Sequence, residues 1–254
     1  MMAIYAITGG ATGIGVATKD KLRAAGRTVI VVDLKNADIN ADLATDSGRA
    51  LAIEGIKEAA SDGLDGFIPC AGLGPAARPY SLITKVNYFA AVEMTEALKE
   101  SLKAKNGAVV MVSSNSAPMG ADKAYVELLL NMDEASACEL IDTKDAHNAY
   151  AGSKLAVAQW MRRNATSFAQ EGVRINAVAP GITRTPLTDQ AFKDEFVGEA
   201  MKDFSKTVPL GFIAEPEQIA EGILFLLSEQ ASFVNGSVLF IDGGHDAMLR
   251  PDQF

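Results

Sequence analysis

The sequence predicts an α/β protein with one doubly wound parallel sheet and helices on both of its faces. Three observations lead to this prediction. Short β-rich runs alternate with longer amphipathic segments, the runs are continuously apolar, and no linker or repeat interrupts the 254 residues. Continuous apolar runs are typical of parallel strands that helices cover on both faces. We therefore expect a single domain over residues 1–254.

The predicted elements follow from local patterns, in chain order. Gly26 and Gly172 each end an amphipathic segment before a strand, as a left-handed helix cap does. Only residues 34–41 separate Asp33 from the pair Asp42 and Leu43, so the second crossover is expected to be a short loop without a helix. Residues 115–147 carry an amphipathic pattern of their own and predict an inserted helical excursion. The runs that predict strands are 4–8, 28–33, 64–70, 108–113, 173–178 and 237–241.

Composition excludes several classes of partner. The chain carries 23 Lys and Arg against 32 Asp and Glu, a net charge of −9, so a nucleic-acid backbone would be repelled. Its apolar stretches are too short to span a bilayer, so we expect no membrane partner. Cys70 and Cys138 are too few for a disulfide framework and no leader-like pattern precedes the first strand, which predicts a cytoplasmic protein. Neither His147 nor His245 belongs to a set of residues with metal-ligand spacing, so no metal is expected.

The first predicted strand is followed by the sequence TGGATGIG. Gly9 suits a tight turn, Gly13 lets the backbone approach a pyrophosphate, and Gly15 allows close helix packing, as in a Rossmann-type dinucleotide site. Asp33 ends the second strand about 20 residues later, where a carboxylate binds the ribose hydroxyls of NAD and repels the extra phosphate of NADP. Nearby Lys35 could soften that repulsion. The alternatives are a glycine-rich turn without a ligand and a solvated aspartate.

A candidate catalytic pair follows the excursion. Tyr150 and Lys154 are four residues apart, which places them on one helix face. A tyrosine titrates at about 10, but a neighbouring lysine and an oxidised nicotinamide both favour the phenolate. Ser114, at the carboxyl end of a predicted strand, can bind a substrate oxygen there, with Ser113 and Ser116 as nearby alternatives. A Tyr and Lys pair at this spacing is by itself more often exposed on the surface without a catalytic role. The order of the other motifs along the chain favours catalysis here.

Together these motifs resemble the short-chain dehydrogenase/reductase family over essentially the whole chain. The resemblance implies four catalytic residues, Asn87, Ser114, Tyr150 and Lys154, with Lys154 also contacting the nicotinamide ribose and Asn87 supporting a water-mediated proton path. Pro69 and Cys70 depart from the family's paired asparagines. The cofactor-binding residues implied for NAD are Gly9, Thr12, Gly13, Ile14, Gly15, Asp33, Asp42, Leu43, Ala71, Gly72, Tyr150, Lys154, Pro180, Gly181, Ile182, Thr183 and Thr185.

One branch of that family is similar in further features, namely the long excursion, residues 70–75, Arg250 with Pro251, and Phe254. This branch comprises the bacterial 3α-hydroxysteroid dehydrogenase/carbonyl reductases. The resemblance implies an NAD(H)-dependent enzyme that interconverts a secondary alcohol and a ketone of a steroid. The alternatives are a short-chain dehydrogenase for a non-steroid alcohol or carbonyl, and a catalytically silent nucleotide-sensing protein.

The segment 186–209 is expected to form a lid above the reacting carbon. The expected partner is a small hydrophobic carbonyl or alcohol substrate, and among small molecules an apolar lid suits a large, rigid one with a single reacting oxygen. Core packing is the alternative explanation of the same stripe. Family members commonly pair through the helices at 81–104 and 148–171, which implies a homo-oligomer whose interface the excursion alters. The apolar residues predicted to share one helical stripe are Leu187, Ala191, Phe192, Phe196, Val197, Ala200, Met201 and Phe204.

Overall fold

The computed structural model describes residues 2–253 and contains one seven-stranded sheet whose strands all run parallel. Phe254, one of the residues that carry the resemblance, lies outside the described part. The strands are β1 Ile4–Thr8, β2 Thr28–Asp33, β3 Ile39–Asn40, β4 Gly66–Pro69, β5 Ala108–Val112, β6 Arg174–Pro180 and β7 Val238–Ile241. Every predicted run overlaps one of them, and the order β3-β2-β1-β4-β5-β6-β7 confirms the doubly wound parallel sheet.

Helices cover both faces of the sheet. Side chains point alternately to the two faces along each strand, so each strand contributes to two apolar cores. Ala6 belongs to one apolar core and Ile7 to the other. The helices are α1 Gly13–Ala24, α2 Asp46–Ala59, α3 Ser81–Thr84, α4 Ala91–Ala97, α5 Lys99–Lys103, α6 Lys123–Leu130, α7 Glu134–Ile141, α8 Ala146–Gln170, α9 Pro186–Lys193, α10 Gly198–Lys206, α11 Pro216–Leu227 and α12 His245–Leu249. Side chains of α2, α4 and α8 fill the first core, and side chains of α1 and α11 fill the second.

The two predicted glycine caps are confirmed. Gly26 has a φ of 74° and Gly172 a φ of 82°, which is the left-handed region. After Gly26, the Arg27 N–H donates back to the Leu22 carbonyl at 3.0 Å, closing the last turn of α1. The same arrangement closes α8 before β6. Each helix therefore stops where the next strand must begin.

The connection from β2 to β3 consists of residues 34–38 alone, so the predicted short crossover is confirmed. The strand β3 that it reaches is only Ile39–Asn40 and lies before Asp42. Because the short loop carries no crossover helix, the carboxyl end of β2 stays open at Asp33 and Leu34.

The chain reverses its direction of winding between β1 and β4. From β1 it proceeds outward to β2 and β3, and then returns to β4 on the other side of β1. Loops that leave the carboxyl ends of these two neighbouring strands diverge to opposite faces of the sheet. Open α/β sheets bind their ligands in the crevice that such a reversal creates.

The excursion between β5 and α8 contains α6 and α7, each with an aspartate cap. Asp122 accepts the N–H of the third residue after it at 3.1 Å, and Asp133 does the same for α7. The helix α7 packs on α3, and α6 packs on α8. Arg49, only 4 % exposed, ties this layer to the domain through ion pairs of 2.8 Å with Glu93 of α4 and Glu134 of α7.

Candidate active site

A cleft of about 880 Å³ opens at the carboxyl ends of the strands, above the reversal between β1 and β4. Every residue that the sequence analysis expects to bind the cofactor lines it. Ser114, Tyr150 and Lys154 line it as well. Asn87 does not line the cleft, and it bonds instead to the backbone of Leu73, which does. The structure thus gathers residues from widely separated parts of the chain into one site.

The glycine loop at the start of α1 is packed so tightly that only hydrogen fits at two positions. A Cβ on Gly9, whose φ is 70°, would lie 2.7 Å from the Ala71 Cα. A Cβ on Gly15 would lie 2.0 Å from the Gly9 carbonyl oxygen. Thr12 precedes the helix without a side-chain capping bond, which leaves the first-turn N–H groups available to an anion. This backbone cradle fits a pyrophosphate.

Asp33 stands at the end of β2 beside this cradle. Its Oδ2 accepts the Ala11 N–H at 3.0 Å, and its Oδ1 accepts the Leu34 N–H at 2.8 Å. Each oxygen keeps a further lone pair, so the carboxylate can still accept ribose hydroxyls. The bond to Ala11 was not expected from the sequence, and it gives Asp33 a second task, which is to hold the glycine loop against β2.

Asp42 and Leu43 form the far end of the cofactor side of the cleft. The Leu43 side chain is buried, whereas Asp42 is exposed. Asp42 shapes the turn before α2, because its carboxylate accepts the Ala44 N–H at 3.0 Å and its carbonyl accepts the Thr45 hydroxyl at 2.9 Å. A planar ring packed on the Leu43 side chain would have its edge next to the turn that Asp42 forms.

Tyr150 and Lys154 share one face of α8, as their spacing predicts. The Lys154 ammonium is buried and donates to the Val112 carbonyl at 2.9 Å. Burial lowers the pKa of Lys154 to about 8, and the neighbouring Cys70 thiol opposes the shift. Burial raises the pKa of the Tyr150 phenol, and the interaction with the Ser114 side chain opposes that rise. Both groups are therefore perturbed by the same apolar surroundings.

The structure distinguishes the three serines that follow β5. Ser113 is buried, and its hydroxyl donates to the Lys154 carbonyl at 2.8 Å, which fastens α8 to the end of β5. Ser114 lines the cleft together with Tyr150 and Lys154. The Ser116 hydroxyl donates to the Ser114 Oγ at 3.0 Å. These different hydrogen bonds distinguish the three serines.

Asn87 occupies a π-helical turn, Lys85–Ala90, between α3 and α4. Its Oδ1 accepts the Leu73 N–H at 2.7 Å, and its Nδ2 donates to the Leu73 carbonyl at 3.0 Å and to the Ser153 Oγ at 3.3 Å. The amide therefore joins the loop after β4 to α8, one residue before Lys154. The sequence carries no sign of the π turn, because a six-residue π segment is too short to set an apolar periodicity of its own.

The turn after β6 is held by backbone and threonine hydrogen bonds. The Pro180 carbonyl accepts the Asn115 N–H at 3.0 Å, and the Gly181 N–H donates to the Ile241 carbonyl at 3.0 Å. Thr185 then caps α9 by accepting the Thr188 N–H at 3.2 Å. These hydrogen bonds hold the turn in place, so the residues at 180–183 and Thr185 line the cleft.

The apolar segment after this turn forms two helices, so the expected single stripe is wrong. The Asp194 Oδ1 accepts the N–H groups of Phe196 and Val197, each at 3.0 Å, and this side-chain competition ends α9 before α10 begins. Ala191 is fully buried and Phe192 does not line the cleft. The predicted members that do line it are Leu187, Phe196, Val197, Ala200, Met201 and Phe204.

The cleft has a further apolar wall that was not expected from the sequence. Its side chains come from the loop after β4, from α3, from the π turn and from the excursion, so no local pattern links them. His147 also lies there, with its Nε2 at 3.0 Å from the Gly120 carbonyl. The apolar members are Leu73, Pro75, Leu82, Val86, Met119 and Ala146.

Residues 2–253 contain no group of three or more His, Cys, Asp or Glu side chains arranged to hold a metal ion. Within the same range, no helix combines the length and the apolar composition required to cross a membrane.

Two family models match the chain: "short chain dehydrogenase" over residues 3–126, and "Enoyl-(Acyl carrier protein) reductase" over residues 129–246. The chain is 40% identical over 259 residues to the 3-alpha-hydroxysteroid dehydrogenase/carbonyl reductase of Comamonas testosteroni, with 100% of both chains covered. It is 29% identical to the cis-4-hydroxycyclohexanecarboxylate dehydrogenase of Sinomonas cyclohexanicum, covering 96% of this chain and 97% of that relative.

The fold comparison agrees with the sequence comparison. The crystal structure of the 3-alpha-hydroxysteroid dehydrogenase from Pseudomonas sp. B-0831, complexed with NADH, matches with a TM-score of 0.96 and 44% identity. The match covers 99% of this chain and 100% of that one. The resemblance predicted from the motifs is confirmed, and this chain belongs to the short-chain dehydrogenase/reductase family of oxidoreductases.

Proposed function

We propose that this chain is an NAD(H)-dependent 3-hydroxysteroid dehydrogenase and carbonyl reductase, which interconverts a secondary alcohol and a ketone. One observation carries the proposal. Tyr150, Ser114 and Lys154 meet in a single cleft between a phosphate cradle with an acidic strand end on one side and an apolar chamber on the other. The names of the Comamonas and Pseudomonas relatives support the same substrate class, and NADH in the Pseudomonas structure supports the cofactor.

The proton chemistry follows from the positions of three side chains. In alcohol oxidation the Tyr150 oxygen takes the hydroxyl proton of the substrate, and in carbonyl reduction it returns that proton. Ser114 donates a hydrogen bond to the same substrate oxygen and stabilises its developing negative charge. The Lys154 ammonium favours the Tyr150 phenolate, and its bond to the Val112 carbonyl leaves two N–H groups for the cleft.

NAD, when bound, supplies the hydride acceptor for this chemistry. Its pyrophosphate would rest on the glycine cradle and its adenosine ribose on Asp33. Asp42 and Leu43 would border the adenine, and the turn at 180–185 would hold the carboxamide of the nicotinamide. Each of these groups lines the same cleft, and the cradle admits no side chain at Gly9 or Gly15. The residues present therefore fit the cofactor.

The chamber beside Tyr150 suits a rigid hydrophobic substrate with one reacting oxygen. The apolar side chains that line it include Leu82, Val86, Met119, Met201 and Phe204. Burial of a fused-ring skeleton there contributes about 25 cal/mol for each Å² of apolar surface removed from water. The polar contacts are left to fix orientation.

A second candidate is oxidation of a non-steroid cyclic alcohol, which the name of the Sinomonas relative favours. That substrate carries a carboxylate. Among the described residues that line this cleft, Lys154 is the one lysine or arginine, and it is bound to the Val112 carbonyl. A carboxylated ring would thus enter without a free cation to pair with, which makes a neutral steroid the better match.

The experiment that tests the proposed function is a turnover assay on the purified chain. With NAD we expect oxidation of a 3-hydroxysteroid, and with NADH reduction of a 3-ketosteroid, at higher kcat/KM than for cyclohexanols or sugars. Higher efficiency on small polar sugars would refute the steroid assignment and leave the oxidoreductase assignment intact. Absence of turnover with every carbonyl and alcohol, in a chain that binds NADH, would favour the nucleotide-sensing alternative.

We expect NAD to be preferred over NADP by at least about 100-fold in kcat/KM, since NADP brings a phosphate dianion against Asp33 and loses the ribose hydrogen bonds. The measurement is a pair of saturation curves with one alcohol substrate. Asp33→Asn removes the negative charge and keeps a side-chain acceptor for the Ala11 N–H, so it should narrow the preference. Equal efficiency with both cofactors in the unmodified chain would mean that Lys35 outweighs Asp33.

We also infer that residues 186–209 act as a lid. The helices α9 and α10 present one apolar side to the cleft, and Phe196, at the turn that joins them, is 75% exposed. The turn is held by the Asp194 carboxylate, which accepts the N–H groups of Phe196 and Val197. Contact with a hydrophobic substrate would bury the exposed ring.

We expect a homo-oligomer in solution, whose interface differs from a simple pairing of the helices at 81–104 and 148–171. The excursion lies on that surface, since α7 packs on α3 and α6 packs on α8. Light scattering of the purified chain should give a mass that is a multiple of 26.8 kDa. A monomer mass would contradict this expectation. We infer a cytoplasmic location, which the free thiols of Cys70 and Cys138 support.

A further inference from the structure

The hydroxyl oxygen of Ser114 already accepts two hydrogen bonds within the protein. The Ser116 N–H donates to it at 3.1 Å, and the Ser116 hydroxyl donates to it at 3.0 Å. A serine oxygen has two lone pairs and one proton. Both lone pairs of Ser114 are therefore occupied, and its proton is the one hydrogen-bonding capacity that remains.

That proton can be donated into the cleft. Ser114 is 6% exposed, and it lines the same cleft as Tyr150. Both bonds from Ser116 end on the Ser114 oxygen, so they leave the Ser114 hydroxyl to act as a donor toward the cleft.

Local backbone geometry keeps Ser116 in this position. Ser116 precedes a short 3₁₀ turn, Ala117–Met119, and makes no side-chain capping bond to it, so its hydroxyl is not engaged elsewhere in the turn. The Ala117 N–H donates to the Ser114 carbonyl at 3.1 Å, which folds Ser116 back over Ser114. Removing the Ser116 hydroxyl would leave this backbone bond and the Ser116 N–H in place.

We infer that Ser116 is a positioning residue, which fills the lone pairs of Ser114 and so restricts Ser114 to donating a hydrogen bond to the reacting oxygen. The inference rests on the proposed roles of Ser114 and Tyr150. A free serine hydroxyl could also accept the proton of a substrate alcohol, and that arrangement would turn the proton away from Tyr150. With both lone pairs occupied, the alcohol has Tyr150 as its remaining acceptor at this position. Successive donors also polarise one another, which strengthens the bond from Ser114.

The test is a double-mutant cycle on the full chain, with Ser116→Ala, Ser114→Ala and the combined variant, measured in alcohol oxidation. Ser116→Ala should lower kcat by about fivefold to tenfold, the range of one neutral hydrogen bond, and should change KM and NADH affinity by less than about twofold. Ser114→Ala should lower kcat by about 100-fold. In that background Ser116→Ala should have almost no further effect, because its target oxygen is gone.

Two further variants complete the experiment. Ser116→Thr keeps the donor hydroxyl and should restore most of the kcat lost in Ser116→Ala. Ser167→Ala removes a serine hydroxyl that bonds only to a helix carbonyl, at Asn164, and should leave kcat unchanged. It controls for the general loss of a hydroxyl.

Three results would overturn the inference. In the first, Ser116→Ala retains full kcat. In the second, the losses multiply in the double variant, which would mean that Ser116 contacts the substrate independently. In the third, NADH affinity and thermal stability fall together with kcat, which would mean a structural role. An unmodified chain that turns over no alcohol would instead refute the proposed function itself, so the two failures are distinguishable.

Discussion

Tyr150→Phe is expected to lower kcat by at least about 100-fold in both directions while NADH still binds. The variant removes only the phenol oxygen, which is the atom proposed to take and return the substrate proton. The ring remains to line the cleft on α8, and the Lys154 ammonium keeps its bond to the Val112 carbonyl. The measurements are single-turnover rates with a 3-ketosteroid and an NADH titration by fluorescence.

Tyr125→Phe is the matched control for this variant. The Tyr125 hydroxyl is buried and bonds to the Thr84 hydroxyl at 2.7 Å, away from the residues that line the cleft. Its loss should cost about 1 kcal/mol of stability and leave kcat close to that of the unmodified chain. Near-normal turnover in Tyr150→Phe, or an equal loss in both variants, would refute the role of Tyr150 in proton transfer.

Gly15→Ala should weaken NADH binding by at least about 100-fold, because the added Cβ would lie 2.0 Å from the Gly9 carbonyl oxygen. Neither atom belongs to a flexible side chain, so the glycine loop itself must move away from α1. Gly9 has little room to move in turn, since even a Cβ built on it would lie 2.7 Å from the Ala71 Cα. A shift of the loop disturbs the N–H groups that are proposed to bind the pyrophosphate, and overpacking costs about 1–3 kcal/mol of stability.

Gly26→Ala, at the other end of α1, separates the two effects of Gly15→Ala. Gly26 also has a positive φ, 74°, but a Cβ there meets no atom within 4 Å. This control should lose about 1 kcal/mol of stability through backbone strain and keep full NADH affinity. If Gly15→Ala bound NADH as well as Gly26→Ala does, the loop would not be the phosphate site.

Much of the fold could be predicted because its signals are local. A parallel strand covered on both faces must be apolar throughout, and a helix that ends before a strand needs a left-handed residue, as at Gly26 and Gly172. The short crossover after Asp33 followed from chain length alone. The spacing of Tyr150 and Lys154 likewise predicted that they share one face of α8, because residues four apart lie on neighbouring turns of a helix.

The site itself could be predicted only in part, for an equally physical reason. The cofactor residues that line the cleft follow strand ends or begin helices, and the ends of parallel strands meet at one edge of a sheet. Residues that act through tertiary contacts carry no such signal. The task of Asn87, which joins Leu73 to Ser153, depends on a π turn and on two elements far apart in the chain.

The sequence by itself determined the sheet, the glycine loop, the acidic strand end and the placement of Tyr150 and Lys154 on one helix face, since backbone periodicity and side-chain spacing are properties of short segments. Only the tertiary structure decided what each of the three serines bonds to, where Asp194 divides residues 186–209 into two helices, and which apolar side chains line the cleft. Those features depend on long-range packing and on competition between hydrogen-bond partners. Segments distant in the chain supply these partners, and they meet only once the sheet has formed.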